Sequence, residues 1–179
     1  MIPSVAPLPW FLPGIAISVL VSVAVTGRVG RALRIRFAVA FMLVLGLGII
    51  VSATLTPVRW AFDVGVNGVR SCDFSRVGLA TLWEYRHLTD TSLNVLLFIP
   101  LGAAIALVPW TRRKAALLAG AAALPVAIET IQLLVPWLER GCESADVVDN
   151  LTGLVIGLAA GAMIGRFAPA ARGDAGGSG

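Results

Sequence analysis

The stretch that decides the fold is AALLAGAAALPVAIETIQLLV, residues 115–135. About 20 apolar helical residues cross the acyl region of a bilayer, and this segment has that length. It nevertheless carries Glu129 and Gln132, which stand three residues apart and so share one helix face. Four further stretches approach the same length: residues 8–26, 37–55, 92–110 and 147–164, the last being the shortest and richest in glycine. No basic region precedes residues 8–26 and no clean small-residue cleavage site follows, so this stretch reads as a retained helix rather than a secretory signal.

Composition agrees. Of the 179 residues, 58% are hydrophobic and 13% charged, against about 25% charged in ordinary soluble domains. Mean hydropathy is +0.89. These values exclude a single soluble domain and a disordered chain. The sequence pI of 10.0 rests on only 14 basic against 10 acidic residues, so it gives no support to nucleic-acid binding. The fold class is therefore all-α integral membrane, with about five transmembrane helices.

The basic residues orient them, since short loops rich in Lys and Arg stay in the cytoplasm. Arg28, Arg31, Arg34 and Arg36 follow the first span, Arg112, Arg113 and Lys114 the third, and Arg166 and Arg172 the fifth. All fall on one side if the N-terminus is outside and the C-terminus inside. Nearly all the acids then fall outside, with Asp174 the single acid inside. Trp10, Trp60, Trp110 and Trp137 lie at or next to helix ends, as interfacial anchors do. The organisation expected is two generic spans with a long outward loop in residues 1–91, a three-helix core in 92–168 and a disordered tail in 169–179. Part of the long loop, around Trp83 and Tyr85, is expected to lie as an amphipathic helix on the membrane surface.

Cys72 and Cys142, the only cysteines, fall in the two outward loops, where the environment permits disulfides. A bond tying the loops together is the favoured reading; the alternative is two unrelated small residues.

Ionisable groups inside membrane helices are costly, so they usually face the bundle interior and mark function. Glu129 lies roughly 9 Å below the outer end of its span at helical rise. Pro125, one turn earlier, is expected to kink the helix and free a carbonyl. Asn94 lies near the outer start of the third span with Asp90 one turn before it. Asp146 and Asn150 are four apart at the outer start of the fifth, beside Asp149, and Arg140 and Glu143 come from the short loop before them. Three helices thus bring acids and amides to one outward layer. Helix capping explains Asp146 as well as catalysis does, but it does not explain Glu129. Gly153, Gly157, Gly161 and Gly165 recur every fourth residue, a row that permits close helix approach in lipid. Its partner is either another helix of this chain or a second copy in a homo-oligomer.

With those residues in view, the chain resembles the VanZ-like family, small bacterial membrane proteins named for a teicoplanin-resistance protein. The family pattern is an Asn leading into LFIPLG on one helix, Glu-x-x-Gln on the next, then Arg-x5-Asp-x3-Asn-x2-Gly entering a glycine-rich last helix. Here these are Asn94 with residues 97–102, Glu129 with Gln132, and Arg140, Asp146, Asn150 and Gly153. The likeness covers residues 90–165; Asp149 departs from it, where an apolar residue is expected. The resemblance implies a plasma-membrane protein associated with tolerance to teicoplanin-type glycopeptides, and it supplies no reaction.

Two function classes follow. In the first, the outward layer binds a lipid or cell-wall-precursor headgroup, with Arg140 contacting phosphate or carboxylate and Asn94, Glu129, Gln132, Asp146 and Asn150 providing further polar contacts. In the second, an integral-membrane enzyme acts on a lipid-linked substrate, with Glu129 or Asp146 as general base. Mg²⁺ or Mn²⁺ suits oxygen ligands, whereas a lone histidine, His87, gives no zinc set. A proton-coupled transporter is weaker, because Glu129 lacks a second deep ionisable partner. The cofactor is not identified.

Overall fold

The computed structural model describes residues 9–58 and 71–167. Its first helix, α1 (Phe11–Leu33), is inverted relative to a soluble amphipathic helix. The residues it buries are Ser18, Ser22, Thr26 and Gly30, a row at four-residue spacing. Leu12, Ile17, Leu20 and Val23 are all exposed. Small and hydroxylated side chains face a neighbouring helix and large apolar ones face outward, as expected where the solvent is lipid. Each hydroxyl is satisfied within its own helix: Ser18 donates to the Gly14 carbonyl at 2.7 Å, Ser22 to Ser18 at 2.6 Å, and Thr26 to Ser22.

The neighbour is α2 (Phe37–Thr54), which runs antiparallel to α1. A Cβ on Gly14 would strike Ser52 and one on Gly48 would strike Ser18, so the two helices meet through complementary small residues. The turn between them closes on Arg34, whose left-handed backbone (φ 57°) ends α1. Helix α1 thus runs seven residues past the apolar stretch, because nothing in 27–33 breaks it.

Next come strand β1 (Cys72–Asp73), the short helix α3 (Leu82–Arg86) and α4 (Asp90–Ala106). The expected surface helix is reduced to the five residues of α3. A Thr81–Glu84 capping box opens it and the extended backbone of His87 ends it. Helix α4 starts two residues before the apolar stretch, because Thr89 and Ser92 cap it reciprocally. It is followed by α5 (Arg112–Leu134), a 3-10 turn (Pro136–Leu138), β2 (Cys142–Glu143) and α6 (Ser144–Phe167). Four helices, α1, α2, α5 and α6, are long and apolar enough to cross a membrane. The fifth, α4, has 17 residues, about 25 Å of helix. This is an all-α membrane protein. Trp10, Trp110 and Trp137 are exposed at helix ends; Trp60 and the tail from Pro169 lie outside the described residues.

The core forms around α4, where Phe98, Leu101 and Ile105 pack with Ile50 of α2, Ile128 of α5 and Leu154 of α6. Helices α4 and α6 run parallel in the closest contact of the fold. A Cβ on Gly153 would meet the Val95 carbonyl, on Gly157 that of Ile99, and on Gly161 that of Ala103, all inside contact distance. Of the two partners open to the glycine row, the one engaged here is α4 of the same chain.

These pairings give the bundle two chemically different ends. One gathers the α1–α2 turn, the α4–α5 turn and the end of α6, with Arg34, Arg36, Arg112, Arg113, Lys114 and Arg166. Arg113 bonds the Ala32 carbonyl there, and Lys114 bonds that of Ala106 at 2.8 Å. The other end gathers the C-termini of α2 and α5, the N-termini of α4 and α6, and the segment from β1 to α3.

Candidate functional site

The acidic end is assembled by short backbone pairings. Strands β1 and β2 pair in parallel with Cys72 opposite Cys142, and the two cysteines form a disulfide with Cα atoms 4.5 Å apart. The Ser144 hydroxyl donates to the Arg76 carbonyl at 2.8 Å. The segment after β1 is thereby held over the start of α6.

Glu129 is 5% exposed on α5, and its Oε2 accepts the Glu143 backbone N–H at 2.7 Å. That bond docks β2 onto α5. Gln132, one turn further along, is equally buried and donates Nε2 to the Thr54 carbonyl at the end of α2, at 3.0 Å. Among the described residues its Oε1 has no hydrogen-bond partner. The same holds for Oδ1 of Asn150, 1% exposed on α6. Asp146 is half-buried in the first turn of α6, where the helix dipole favours a carboxylate. It lies within electrostatic range of Glu129, Glu143, Asp90 and Arg140. Asn94 is half-buried on α4, next to Val95, on which Gly153 packs.

Arg140 meets backbone carbonyls. Its Nε donates to the Thr56 carbonyl at 3.1 Å and a terminal nitrogen to that of Ala53 at 2.7 Å. It therefore closes the C-terminus of α2, where free carbonyls and the dipole attract a cation. Burial holds its guanidinium below the ordinary arginine value, while Asp146 and Glu129 pull the other way.

The cluster also contains a pairing that sequence reasoning missed. Asp149 is fully buried and binds Arg76 through two contacts, Nη1 to Oδ1 at 3.1 Å and Nη2 to Oδ2 at 2.5 Å. The Tyr85 hydroxyl donates to the same Oδ1 at 3.3 Å. The available signal was Asp149 itself, an acid in an apolar register that must find a partner. Arg76 lies in the loop before α3 and Tyr85 in α3 itself, and no periodicity announces that this segment folds back over α6. Among the described residues, no group of three or more His, Cys, Asp or Glu converges to hold a metal ion.

The arrangement presents two carboxyl groups and two unpartnered amide oxygens between four helix ends. It can accept hydrogen bonds and attract positive charge. A family model described as VanZ/LLP1 matches residues 41–165. No curated protein and no solved structure matches the chain. The match extends back into α2, whose Gly46 packs on Leu101 of α4 and whose last carbonyls receive Gln132 and Arg140.

Proposed function

The chain belongs to the VanZ/LLP1 family, and from that premise we propose that it is a multi-pass protein of the bacterial plasma membrane whose polar layer binds a lipid or cell-wall-precursor headgroup. In this reading the N-terminus is outside and the C-terminus inside, because the arginine-rich end has the composition of cytoplasmic loops. The acidic end then faces the envelope. Occupying a headgroup there alters how teicoplanin-type glycopeptides engage the surface.

The burial of Glu129 carries the reading. A carboxylate 5% exposed on a membrane helix, with an amide one turn away, is costly unless it serves a partner. Glu129→Gln keeps shape and most hydrogen bonding while removing the charge. The variant is expected at normal abundance, with loss of headgroup binding and of any teicoplanin tolerance the protein confers in cells. Unchanged binding and tolerance would reject the reading.

The proximity of Glu129 to Asp146 favours a second reading, an integral-membrane enzyme with one of the two as general base. Glu129→Gln would then keep substrate binding and lose turnover, whereas in the first reading binding itself is lost.

A further inference from the structure

Among the described residues, hydrogen-bond acceptors outnumber available donors at the acidic end. Gln132 is fixed by its Nε2 bond to Thr54, which leaves Oε1 buried and unmet. Asn150 leaves Oδ1 in the same state. Unmet buried acceptors are destabilising, so two at this end, one on α5 and one on α6, call for a donor. Among the described residues, the arginines at this end are directed at other groups. Arg76 is committed to buried Asp149, and Arg140 directs two of its nitrogens at the carbonyls of Ala53 and Thr56. Among the described residues no guanidinium bonds Glu129 or Asp146; Glu143 and Asp90 are nearby, and Arg140 and Arg76 act on the two only at longer range.

We propose that this layer takes a primary ammonium group, received by Glu129 and Asp146 together with the carbonyl oxygens of Gln132 and Asn150. This rests on the headgroup-binding reading above and gives that headgroup a charge and a chemistry. A primary ammonium brings one positive charge and three N–H donors on a compact centre, matching acceptors of both kinds. A phosphate would meet carboxylates and bare carbonyl oxygens, and the guanidiniums of Arg76 and Arg140 already direct two nitrogens each at other groups. A quaternary ammonium has the charge without the donors and is better served by aromatic faces. The ammonium can be carried by an ethanolamine phospholipid or by a free amino group on a cell-wall-precursor peptide.

The test uses the full chain in nanodiscs, with binding read by melting shift and by native mass spectrometry. The probes are short-chain phosphatidylethanolamine, phosphatidylcholine and phosphatidylglycerol, and a short peptide with a free lysine amine beside its acetylated form. The ethanolamine lipid or the free-amine peptide is expected to bind about tenfold more tightly than its quaternary or acetylated counterpart, the worth of charge-assisted hydrogen bonds. Whichever of the two binds names the source. Asp146→Asn should remove most of that preference while shifting the ligand-free melting point little, because the Asp146 side chain makes no hydrogen bond within the described residues and loses only its interaction with the dipole of α6. Equal or tighter binding of the choline, glycerol or acetylated probes overturns the ammonium while headgroup binding stands. No saturable binding of any probe overturns both.

Discussion

Asp149 of α6 receives both terminal nitrogens of Arg76 from 73 residues earlier in the chain. The carboxylate is wholly buried and the guanidinium a quarter exposed. With the Tyr85 hydroxyl on the same oxygen, this pair fixes the segment between β1 and α3 over the start of α6. Asp149 draws the Arg76 guanidinium above its ordinary value, so it stays charged throughout the accessible pH range.

Removing Arg76 leaves Asp149 buried and unpaired. Breaking a buried pair from one side costs about 3–5 kcal/mol, and partial exposure of Arg76 lets water reduce this to roughly 2 kcal/mol. Arg76→Ala is expected to lower the melting midpoint in detergent. Arg76→Ala with Asp149→Asn should recover part of the loss, because no buried charge remains. A double variant no more stable than Arg76→Ala would show that the pair does not hold the segment.

The glycine row separates by position. A Cβ on Gly153, Gly157 or Gly161 would overlap backbone of α4, which cannot yield locally, whereas one on Gly165 meets only the flexible end of Leu107 at 3.4 Å. Gly157→Ala is expected to cost about 1–3 kcal/mol by overpacking, read as a lower melting midpoint, while Gly165→Ala stays near wild type. Gly120, with nothing within 4 Å of its missing Cβ, is the control and tolerates Ala. Equal melting points for Gly157→Ala and Gly165→Ala would show that α4 and α6 do not meet through this row.

Much of the bundle was legible because lipid imposes simple rules on sequence. Apolar length marked α2, α5 and α6 to within a few residues, and the four-residue glycine period marked the face of α6 that meets α4. Helix ends were less legible: α4 begins where Thr89 and Ser92 cap it, and α1 runs on through polar residues that hydropathy assigns to a loop. Glu129, Gln132, Asp146 and Asn150 stood out because polar groups are rare in such helices. The partner of Arg140 was hidden, because carbonyl acceptors at the end of α2 have no side-chain signature. Arg76 was hidden for a related reason, since long-range ion pairs carry no period.

Arg140 offers a way to separate architecture from recognition. Its two bonds reach carbonyls three residues apart, which a planar guanidinium can bridge and a single ammonium cannot match. Arg140→Lys keeps the charge beside Asp146 and Glu129 but loses one of the bonds, at about 1.5–3 kcal/mol for a bond to a charged group. A lower melting midpoint is therefore expected in both Arg140→Lys and Arg140→Gln. Full stability of Arg140→Lys would mean that charge alone matters at the end of α2.

The disulfide closes a long covalent loop, with a sequence separation of 70 between Cys72 and Cys142. In the chain-entropy treatment such a loop stabilises by about 4 kcal/mol, mainly by restricting the unfolded state. Glu143, the residue after Cys142, donates its N–H to Glu129, so the crosslink also anchors the strand that meets the buried carboxylate. Thiol titration of unfolded, unreduced protein should find no free cysteine, and two after reduction. Reductant, or the Cys72→Ser and Cys142→Ser pair, should lower the melting midpoint and speed amide exchange at Glu143 ahead of the helix interiors. Unchanged exchange at Glu143 would show that β2 is held on α5 by Glu129 alone, without help from the crosslink.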